Sequence, residues 1–361
     1  MRISTYLWNS IRSRAMLLLL AMVSTALVAG ACGGGQNATE PTPVQKPTIK
    51  IADNQWEALY IENAIFKFVV ENGYGYPVEE VIVTTPVAQF SMASGDLDVW
   101  VDLYEANMLD WYRKEIAAGN IIHFKSPPIY EGQPQFFIIP KWVSEQYNIK
   151  TIEDMKRPEV VKLFPDPEDP AKGAFINCMI GWQCAEINRA KLQAYGLDKY
   201  YNIIWPGGGA AEKAAIVGAM KNKKPVFAYW WNPDSLMGAY DWYVLEEPPY
   251  TEECWVEVQK GRDDRTYTPK QVCAYETGPV GKLINKGMQQ KAPDVVAMLE
   301  KMSIGLVALN KTAVWAQDND IQGQWDKAAI YFLRTFDDRW KAWVPVENYN
   351  KVKEALEKAS S

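Results

Sequence analysis

The sequence is poor in the residues on which most catalytic and metal sites depend. It contains a single histidine, His123, and five cysteines in 361 residues. One imidazole argues against histidine-based catalysis and against most zinc sites. The formal net charge is −6, and no basic cluster follows the N-terminal leader, so nucleic acid is not an expected partner. Since no nucleophile motif or metal-ligand spacing is present either, we expect no metal, no cofactor and no catalytic step.

Large aromatic residues are the one excess in the composition. The chain has 15 tryptophans and 19 tyrosines. Most of them are expected in hydrophobic cores, but the surplus indicates recognition by aromatic surfaces. The length is sufficient for two ordinary domains, each with a core of its own.

The N-terminus is predicted to be a signal peptide over residues 1–31. Three arginines lie within its first fourteen residues, and the apolar run over 15–28 is too short to span a membrane as a helix. Residues 32–47 are rich in glycine, proline, threonine and glutamine, a composition that predicts a flexible tether. The folded part of the chain is therefore expected outside the cytoplasm.

The end of the leader, Leu-Val-Ala-Gly-Ala-Cys over residues 27–32, resembles a bacterial lipobox. The resemblance implies that Cys32 is the lipidated first residue of the mature chain and anchors it to the cell membrane. Ala29 stands where leucine is more usual, and Ala-Gly-Ala before Cys32 also fits an ordinary cleavage site. A lipoprotein and a chain secreted freely to the periplasm therefore both stay open.

Export changes the meaning of the other cysteines. With Cys32 set aside, Cys178, Cys184, Cys254 and Cys273 form an even set, which favours two disulfides in an oxidising compartment. Pairing between sequence neighbours, 178 with 184 and 254 with 273, is the most economical of the three arrangements. Four free thiols are the alternative.

Alternating strand and helix patterns predict an α/β fold. From residue 48 to residue 118, short β-like runs are followed by helical patterns, which implies a largely parallel sheet with helices on both faces. A second set begins near residues 135–140, and the pattern around 273–280 suggests that the chain crosses back. We therefore expect two lobes joined by two hinge crossovers, with the ligand in the cleft between them. The predicted boundaries are 48–138 and 276–361 for a discontinuous first lobe, and 139–275 for the second.

Four aromatic residues stand near the ends of predicted strands. A quaternary ammonium has no N–H to donate, so its recognition depends on the negative faces of aromatic rings, worth about 0.5–2 kcal/mol each. Trp182, Trp231 and Tyr104 are the main candidates for such a box, and Trp56 is a weaker fourth. The alternative is that each ring packs in a core or between the lobes.

The segment from Cys178 to Cys184 places an anion site beside one of these rings. It brackets Trp182, and a helical pattern follows immediately. The first N–H groups of that helix favour negative charge. An aromatic face next to an anion-binding helix end suits a small ligand that carries both a cation and a carboxylate.

Five segments carry a family resemblance. They are Gly-Trp-Gln-Cys at 181–184 with Cys178, Leu-Gln-Ala-Tyr-Gly-Leu at 192–197, Lys-Pro-Val-Phe-Ala-Tyr-Trp-Trp-Asn-Pro at 224–233, Ala-Ser-Gly-Asp at 93–96 and Asp-Ile-Gln-Gly at 320–323. Together they resemble the extracytoplasmic glycine betaine-binding proteins of ABC importers, over nearly all of residues 48–344. The resemblance implies a two-lobed, type II periplasmic-binding-protein-like fold that delivers a quaternary ammonium solute to an ABC permease in the membrane.

The resemblance also implies roles for single residues. Two of the family's three cage tryptophans match Trp182 and Trp231, and the third position falls on Tyr104, whose ring is smaller and carries a hydroxyl. The backbone N–H groups of Gln183 and Cys184 match those that hold the ligand carboxylate.

The match fails at one carboxylate-binding position. The family's histidine, one helical turn beyond the first cage residue, is Met108 here. With that donor absent, Glu105 or Asp102 nearby would favour a ligand of net positive charge such as choline, or a trimethylamine oxide. The alternative is that both are solvated carboxylates at the start of a helix.

Two other functions have some basis in the sequence. Paired carboxylates, Asp102 with Glu105 and Asp318 with Asp320, are compatible with an exported enzyme that acts on a glycan, in which tryptophans would stack on sugars. A sensor subunit that signals on closure would keep the fold but not the transport role.

Overall fold

The computed structural model describes residues 45–132, 134–321 and 323–359. The predicted signal peptide, Cys32 and most of the predicted tether lie outside these ranges. Residues 45–47 have no regular secondary structure, and Lys46 Nζ lies 4.0 Å from the ring centroid of Tyr76 and 3.4 Å from the carboxylate of Asp294. The described end of the tether therefore packs on the folded chain.

Strands and helices alternate along the described chain. The strands are β1 (Ile49–Asp53), β2 (Val78–Ile82), β3 (Val99–Leu103), β4 (Ile121–Phe124), β5 (Gln135–Pro140), β6 (Gly173–Ile176), β7 (Tyr201–Ile204), β8 (Ala228–Trp231), β9 (Trp242–Val244) and β10 (Gly281–Asn285). The α-helices are α1 (Glu57–Val69), α2 (Thr85–Ser94), α3 (Leu109–Ala117), α4 (Lys141–Tyr147), α5 (Pro158–Val161), α6 (Gln183–Tyr195), α7 (Gly209–Lys221), α8 (Ser235–Ala239), α9 (Glu252–Asp263), α10 (Met288–Lys291), α11 (Pro293–Lys301), α12 (Leu306–Asp318), α13 (Trp325–Thr335), α14 (Asp337–Lys341) and α15 (Val346–Lys358).

The strands form two five-stranded mixed sheets. The first has the order β2-β1-β3-β10-β4, and β10 is antiparallel to both of its neighbours. The second has the order β7-β6-β8-β5-β9, and β5 is antiparallel to both of its neighbours. Four strands of each sheet are thus parallel to one another, and the antiparallel strand is the one by which the chain arrives from the other lobe. The predicted α/β fold with two lobes is confirmed.

Two adjacent segments connect the lobes. The chain leaves the first sheet after β4 and enters the second at β5, and it returns before β10. The connections run side by side, because Tyr130 and Val280 form an antiparallel bridge and the N–H of Ile129 donates to the carbonyl of Val280 at 2.8 Å. The two crossovers therefore form one paired hinge.

One predicted boundary is misplaced. Residues 135–138 were assigned to the first lobe, but Gln135–Pro140 pairs with β8 and β9 in the second sheet. The apolar sequence pattern of a strand is the same in either lobe, so the pattern does not show which sheet the strand joins. Its hydrogen-bond partners show this. The boundary of the second lobe therefore lies before Gln135 instead of after residue 138.

The C-terminal helices complete the first lobe. Helices α12 and α13 pack on α1, and α15 packs on the π-helical turn Val70–Tyr74 that follows α1. Helix α12 also contacts α8 of the second lobe. The first lobe is therefore discontinuous in sequence.

Helix ends follow the sequence pattern at some positions only. Helix α6 begins at Gln183 and ends before Gly196, as the sequence predicts. Gly73, a residue type that often ends a helix, does not end the one that starts at Glu57, because the chain continues as the π-helical turn Val70–Tyr74, with Gly75 as its C-cap. After β3, a 3-10 turn, Glu105–Met108, precedes α3.

Candidate ligand-binding site

A small cavity of about 40 Å³ lies between the lobes, at the carboxyl ends of the strands. Both lobes contribute residues to it, and none of the described residues that line it carries a charge. The lining residues are Trp56, Thr85, Trp100, Tyr104, Asn107, Met108, Gln135, Trp182, Gln183, Cys184, Tyr229 and Trp231.

The four aromatic candidates adjoin one another in a series. The ring centroids of Trp56 and Tyr104 are 5.8 Å apart, those of Trp56 and Trp182 are 5.8 Å apart, and those of Trp182 and Trp231 are 5.3 Å apart. Every pair is edge-to-face, with interplanar angles of 83–89°. Perpendicular rings of this kind form the walls of a box, and Trp56, the weakest candidate in the sequence, is central to it.

The backbone places these rings at strand ends. Trp56 and Trp182 are the N-cap residues of α1 and α6, each with extended backbone angles. Tyr104 directly follows β3, and Trp231 is the last residue of β8. In α/β sheets the carboxyl ends of parallel strands form the ligand edge, so the four rings meet in the cleft.

Trp182 belongs to the second lobe but contacts the first. Its indole N–H donates to the carbonyl of Asn54 at 2.7 Å. The ring packs closely on the start of α7, because a Cβ added to Gly209 would lie 3.0 Å from it. Gly181, just before Trp182, has a φ of +102° and lies against Thr84 of the first lobe, where a Cβ would come within 2.9 Å. These contacts hold the indole across the cleft.

Both disulfides expected from sequence neighbours are present. Cys178–Cys184 closes the loop that carries Trp182, and Cys254–Cys273 joins α9 to the return crossover. Helix α9 reaches the first lobe, since the indole N–H of Trp255 donates to the carbonyl of Ala106 at 2.7 Å. Each disulfide therefore holds a segment that contacts the opposite lobe.

The first two residues of α6 bring their backbone N–H groups to the cavity. Among the described residues, no backbone carbonyl accepts from the N–H of Gln183 or Cys184, which are the first two residues of α6. Free N–H groups at a helix N-terminus bind anions. Thr85, the first residue of α2, adds a hydroxyl to the lining.

An amide pair that the sequence did not predict lies at the same cavity. The side-chain amide of Asn107 donates to Gln135 Oε1 at 2.9 Å, and the Tyr229 hydroxyl donates to the same oxygen at 2.8 Å. The amide nitrogen of Gln135 reaches Asn107 Oδ1 only at 3.4 Å. The pair joins the lobes, because Asn107 follows β3 and Gln135 begins β5.

Asp102 is fully buried behind the ring box and does not line the cavity. Its carboxylate accepts from the indole N–H of Trp56 at 2.6 Å and from the hydroxyl of Tyr130 at 3.0 Å. The hydroxyls of Tyr130 and Tyr104 are 3.1 Å apart. Burial raises the pKa of Asp102 to about 7, although both hydrogen bonds act in the opposite direction.

Of the two other predicted site residues, one lines the cavity and the other does not. Met108 is buried and lines the cavity. Glu105 does not line it, since its carboxylate lies 2.8 Å from Lys125 Nζ and 3.7 Å from His123 Nδ1. Burial lowers the pKa of His123 to about 4, so this imidazole is neutral at pH 7.

A charged cluster joins the lobes beside the box. Lys213 of α7 contacts the carboxylate of Glu57, its Nζ lies 3.1 Å from Asp234, and it donates to the Ser235 hydroxyl at 2.6 Å. The Ser235 hydroxyl also donates to Glu57 at 2.9 Å. Burial and the neighbouring Asp234 raise the pKa of Glu57 to about 7, although Lys213 lowers it. We call these four residues the interlobe cluster.

Sequence reasoning missed five of the lining residues. Tyr229 and Trp100 were detectable, because they lie two and four positions before Trp231 and Tyr104, and residues of equal parity share one face of a strand. Thr85 precedes Pro86, a pair typical of a helix start, but nothing in the sequence places its hydroxyl at the cavity. Nothing in the sequence pairs Asn107 with Gln135, which come from different lobes.

The described residues contain no group of three or more histidine, cysteine, aspartate or glutamate side chains placed to hold a metal ion. Within the same ranges, every helix is too short or too polar to cross a membrane.

Comparisons with known proteins agree with the geometry. A family model described as the substrate binding domain of ABC-type glycine betaine transport systems matches residues 47–335. The glycine betaine/proline betaine-binding periplasmic protein of Escherichia coli K12 is 27% identical over 320 residues, which cover 84% of this chain and 88% of that protein.

Two solved structures show the same fold. The glycine betaine/L-proline-binding protein of Borrelia burgdorferi has a TM-score of 0.65 at 19% identity, covering 84% of this chain and 99% of its own. A choline-binding protein of an ABC transporter, in complex with choline, has a TM-score of 0.65 at 16% identity, covering 86% and 98%.

The alternative of a glycan-active enzyme has no support from these comparisons, because the family and the relatives are binding proteins of transporters. The family model spans most of the chain, including both sheets and every residue that lines the cavity. The chain therefore belongs to the substrate-binding domains of ABC-type glycine betaine transport systems.

Proposed function

We propose that this protein captures a trimethylammonium compound with a carboxylate, of which glycine betaine is the simplest, and delivers it to an ABC permease without any catalytic step. The observation that carries the proposal is the box of four perpendicular aromatic rings around an uncharged cavity. An onium ion is solvated only loosely by water and is attracted to ring faces, so such a cavity selects it over ions that need hydrogen bonds.

The cation is assigned to the rings of Trp56, Tyr104, Trp182 and Trp231. Desolvated cation–π contacts contribute up to about 2 kcal/mol each, so four rings supply up to about 8 kcal/mol, which corresponds to micromolar binding. Tyr104 supplies a smaller ring than a tryptophan would, and Trp56 supplies a fourth wall beside it.

The carboxylate is assigned to neutral donors. The N–H groups of Gln183 and Cys184 lie at the positive end of α6, and Thr85 lies near the start of α2. We infer that the amides of Asn107 and Gln135 supply the donors that Met108 does not. No cationic side chain of the described residues lines the cavity to form an ion pair with the anion.

Choline is the second candidate, and the lining favours it in one respect. A ligand of net positive charge needs no cationic partner in the protein, and none lines the cavity. The choline-binding structure with the same fold shows that this architecture is compatible with such a ligand in that protein.

Calorimetric titration of the refolded, ligand-free protein separates these candidates. The panel is glycine betaine, proline betaine, carnitine, choline and trimethylamine N-oxide. We expect the carboxylate-bearing compounds to bind at least tenfold more tightly than choline, since helix-end N–H groups stabilise an anion. If only cations without a carboxylate bind, the role assigned to Gln183 and Cys184 is wrong.

Substitution of the cage tests the ring assignment. We expect Trp182→Ala and Trp231→Ala each to weaken betaine binding at least tenfold, because each removes a wall of the box. Trp142→Ala is the matched control, since Trp142 is a partly exposed tryptophan of the same lobe that does not line the cavity. Unchanged affinity in both cage variants would remove the proposal.

Ligand capture is proposed to close the lobes. The ligand would contact Tyr104 and Trp56 from the first lobe and Trp182 and Trp231 from the second, so it binds the closed form better than the open form. The paired hinge at Tyr130 and Val280 permits this rotation, and the closed form would then dock on the permease.

The mature chain is proposed to be held at the membrane by a lipid on Cys32. The support is the lipobox-like sequence over residues 27–32. Expression of the full chain in a bacterial host with labelled palmitate tests it. We expect label and detergent-phase partitioning for the wild type and neither for Cys32→Ala; label-free, freely secreted wild type would contradict the anchor.

A further inference from the structure

The strongest unused feature is the position of Asp102. It lies on β3 with its side chain fully buried, and its two carboxylate oxygens accept from different rings. One oxygen accepts from the indole N–H of Trp56, and the other accepts from Tyr130, whose hydroxyl adjoins that of Tyr104. One carboxylate is thus connected to two walls of the box.

No basic side chain neutralises this carboxylate in the described part of the chain. Asp102 forms no ion pair with any described lysine, arginine or histidine. On the adjacent strand β10, Lys282 is buried, but its ammonium donates to the carbonyls of Pro127 and Met302 at 2.6 and 2.7 Å. A buried carboxylate without a cation is costly, unless the cation arrives with the ligand.

The other titratable groups that face Asp102 are all acidic. Glu62, on α1, is fully buried, and neither of its carboxyl oxygens has a hydrogen-bond partner among the described residues. Burial, followed by the charge of Asp102, raises the pKa of Glu62 well above its usual range, which favours the neutral form of this group. Tyr104 and Tyr130 are neutral phenols, because burial raises their pKa values.

We propose that Asp102 is a specificity-determining residue that supplies the buried counter-charge for the ligand's onium group, through the rings of Trp56 and Tyr104 that it holds. The inference rests on the proposed function, since it needs the onium group inside the ring box.

The physical basis is polarisation and Coulomb attraction across one ring. A carboxylate that accepts a hydrogen bond from an indole N–H increases the electron density of that ring. The other oxygen of Asp102 accepts from Tyr130, whose hydroxyl orients the hydroxyl of Tyr104. In the low effective dielectric of a buried site, a unit charge several ångströms away still attracts the onium group. A zwitterion receives less of this attraction than a cation, because its own carboxylate opposes it.

Asp102→Asn tests the charge without breaking the network. The Asn oxygen accepts from Trp56, its amide donates to Tyr130, and Tyr130 then donates to Tyr104, so every group keeps a partner. We expect the Kd for choline to rise roughly tenfold and the Kd for glycine betaine to rise roughly threefold, since the cation loses more Coulomb attraction.

Proton release provides a readout that a purely structural role would not change. A ligand cation favours the ionised form of Asp102, so binding at pH 6–7 releases a proton from that group. Calorimetry of glycine betaine binding in two buffers of different ionisation enthalpy counts the protons. Because Glu57 of the interlobe cluster also titrates near neutral pH, the count is compared between wild type and variant.

We expect Asp102→Asn to release fewer protons than the wild type, and Glu62→Gln to match the wild type because burial favours the neutral form of Glu62. A proton count that is the same in wild type and Asp102→Asn, or equal losses of affinity for choline and glycine betaine, would overturn the inference. Either result leaves the proposed function intact, provided that Trp182→Ala still weakens glycine betaine binding at least tenfold. If the wild type shows no preference for onium compounds, both this inference and the proposed function are wrong.

Discussion

At the residue scale, the proposed recognition of the ligand depends on the faces and edges of four rings. Trp56 contacts two of the other rings and is itself held by Asp102, so it links the box to the buried charge behind it. Tyr104 contacts Trp56 and adjoins Tyr130 through its hydroxyl. Each such ring is proposed to act in two ways: its face attracts the cation, and its indole N–H or hydroxyl fixes the position of the ring. Different substitutions remove one or the other.

Tyr104 allows these functions to be tested separately. Tyr104→Phe keeps the ring and removes the hydroxyl, so we expect less than about a threefold loss of glycine betaine affinity. Tyr104→Ala removes the ring, and we expect a loss of about tenfold or more. Calorimetric Kd values for the two variants provide the comparison, and equal losses would show that the hydroxyl, not the ring face, is what matters.

Asp102 also makes stability dependent on pH. Its pKa in the folded, ligand-free protein is raised to about 7 by burial, above its value in the unfolded chain. Its contribution to stability is therefore complete below the unfolded pKa of about 3.9 and is lost as the pH rises through about 7. We expect Asp102→Asn to raise the melting temperature relative to the wild type more at pH 8 than at pH 5. An equal difference at both pH values would mean that Asp102 does not titrate in this range.

At the element scale, the start of α6 brings the two halves of the site together. Trp182 is the N-cap of this helix, and the next two residues present free backbone N–H groups. The Cys178–Cys184 disulfide closes the loop that leads into the helix, so the indole and the helix end move as one unit. The groups proposed to bind the cation and the anion thus lie within a few residues of each other.

Removal of that disulfide should affect the ligand more than the fold. The disulfide closes a loop of only six residues, so it restricts the unfolded chain only slightly. In the folded protein it holds the loop that carries Trp182. We expect Cys178→Ser with Cys184→Ser to weaken glycine betaine binding at least tenfold.

The double variant Cys254→Ser with Cys273→Ser is the matched control, because it opens a longer loop away from the cavity. It should lower the melting temperature more and the affinity less than the first double variant. Thermal unfolding and calorimetry on both proteins check the order, and the reverse order would contradict it.

At the scale of the whole molecule, closure depends on contacts between the lobes that lie outside the box. The interlobe cluster pairs Lys213 of the second lobe with Glu57 of the first, next to Trp56. Burial lowers the pKa of Lys213, but Asp234 and Glu57 more than offset this and raise it overall, so the lysine stays charged. One lysine thus contacts a carboxylate from each lobe.

Lys213→Met should therefore favour the open form. Without the lysine, Glu57 and Asp234 face each other with no cation between them, which destabilises the closed state. We expect glycine betaine to dissociate at least about tenfold faster from Lys213→Met. Removal of one partner of a fully buried ion pair typically costs several kcal/mol, and the effect expected here is smaller because Lys213 is partly exposed.

Lys221→Met is the matched control, because Lys221 is an exposed lysine at the end of the same helix. Stopped-flow tryptophan fluorescence measures the dissociation rates. A rate unchanged in Lys213→Met, or changed equally in both variants, would show that the cluster does not contribute to closure.

Much of the molecule follows from short-range pattern. The helix that begins at Gln183, the strands that end near Tyr104 and Trp231, and the pairing of neighbouring cysteines are all local features, and the structure contains each of them. Local backbone preference and sequence spacing decide such features before the chain folds. The sequence also placed all four rings near strand ends, where ligands of α/β sheets bind.

Tertiary structure alone decided which of these features meet. The sequence alone does not assign β5 to a sheet, pair Asn107 with Gln135, or bring Asp102 beneath Trp56, because each contact joins residues from separate elements. The same holds for Glu57 and Lys213, which are 156 positions apart. The physical reason is that hydrophobic pattern specifies which faces are buried, whereas the partner of a buried polar group is fixed only when two elements pack together.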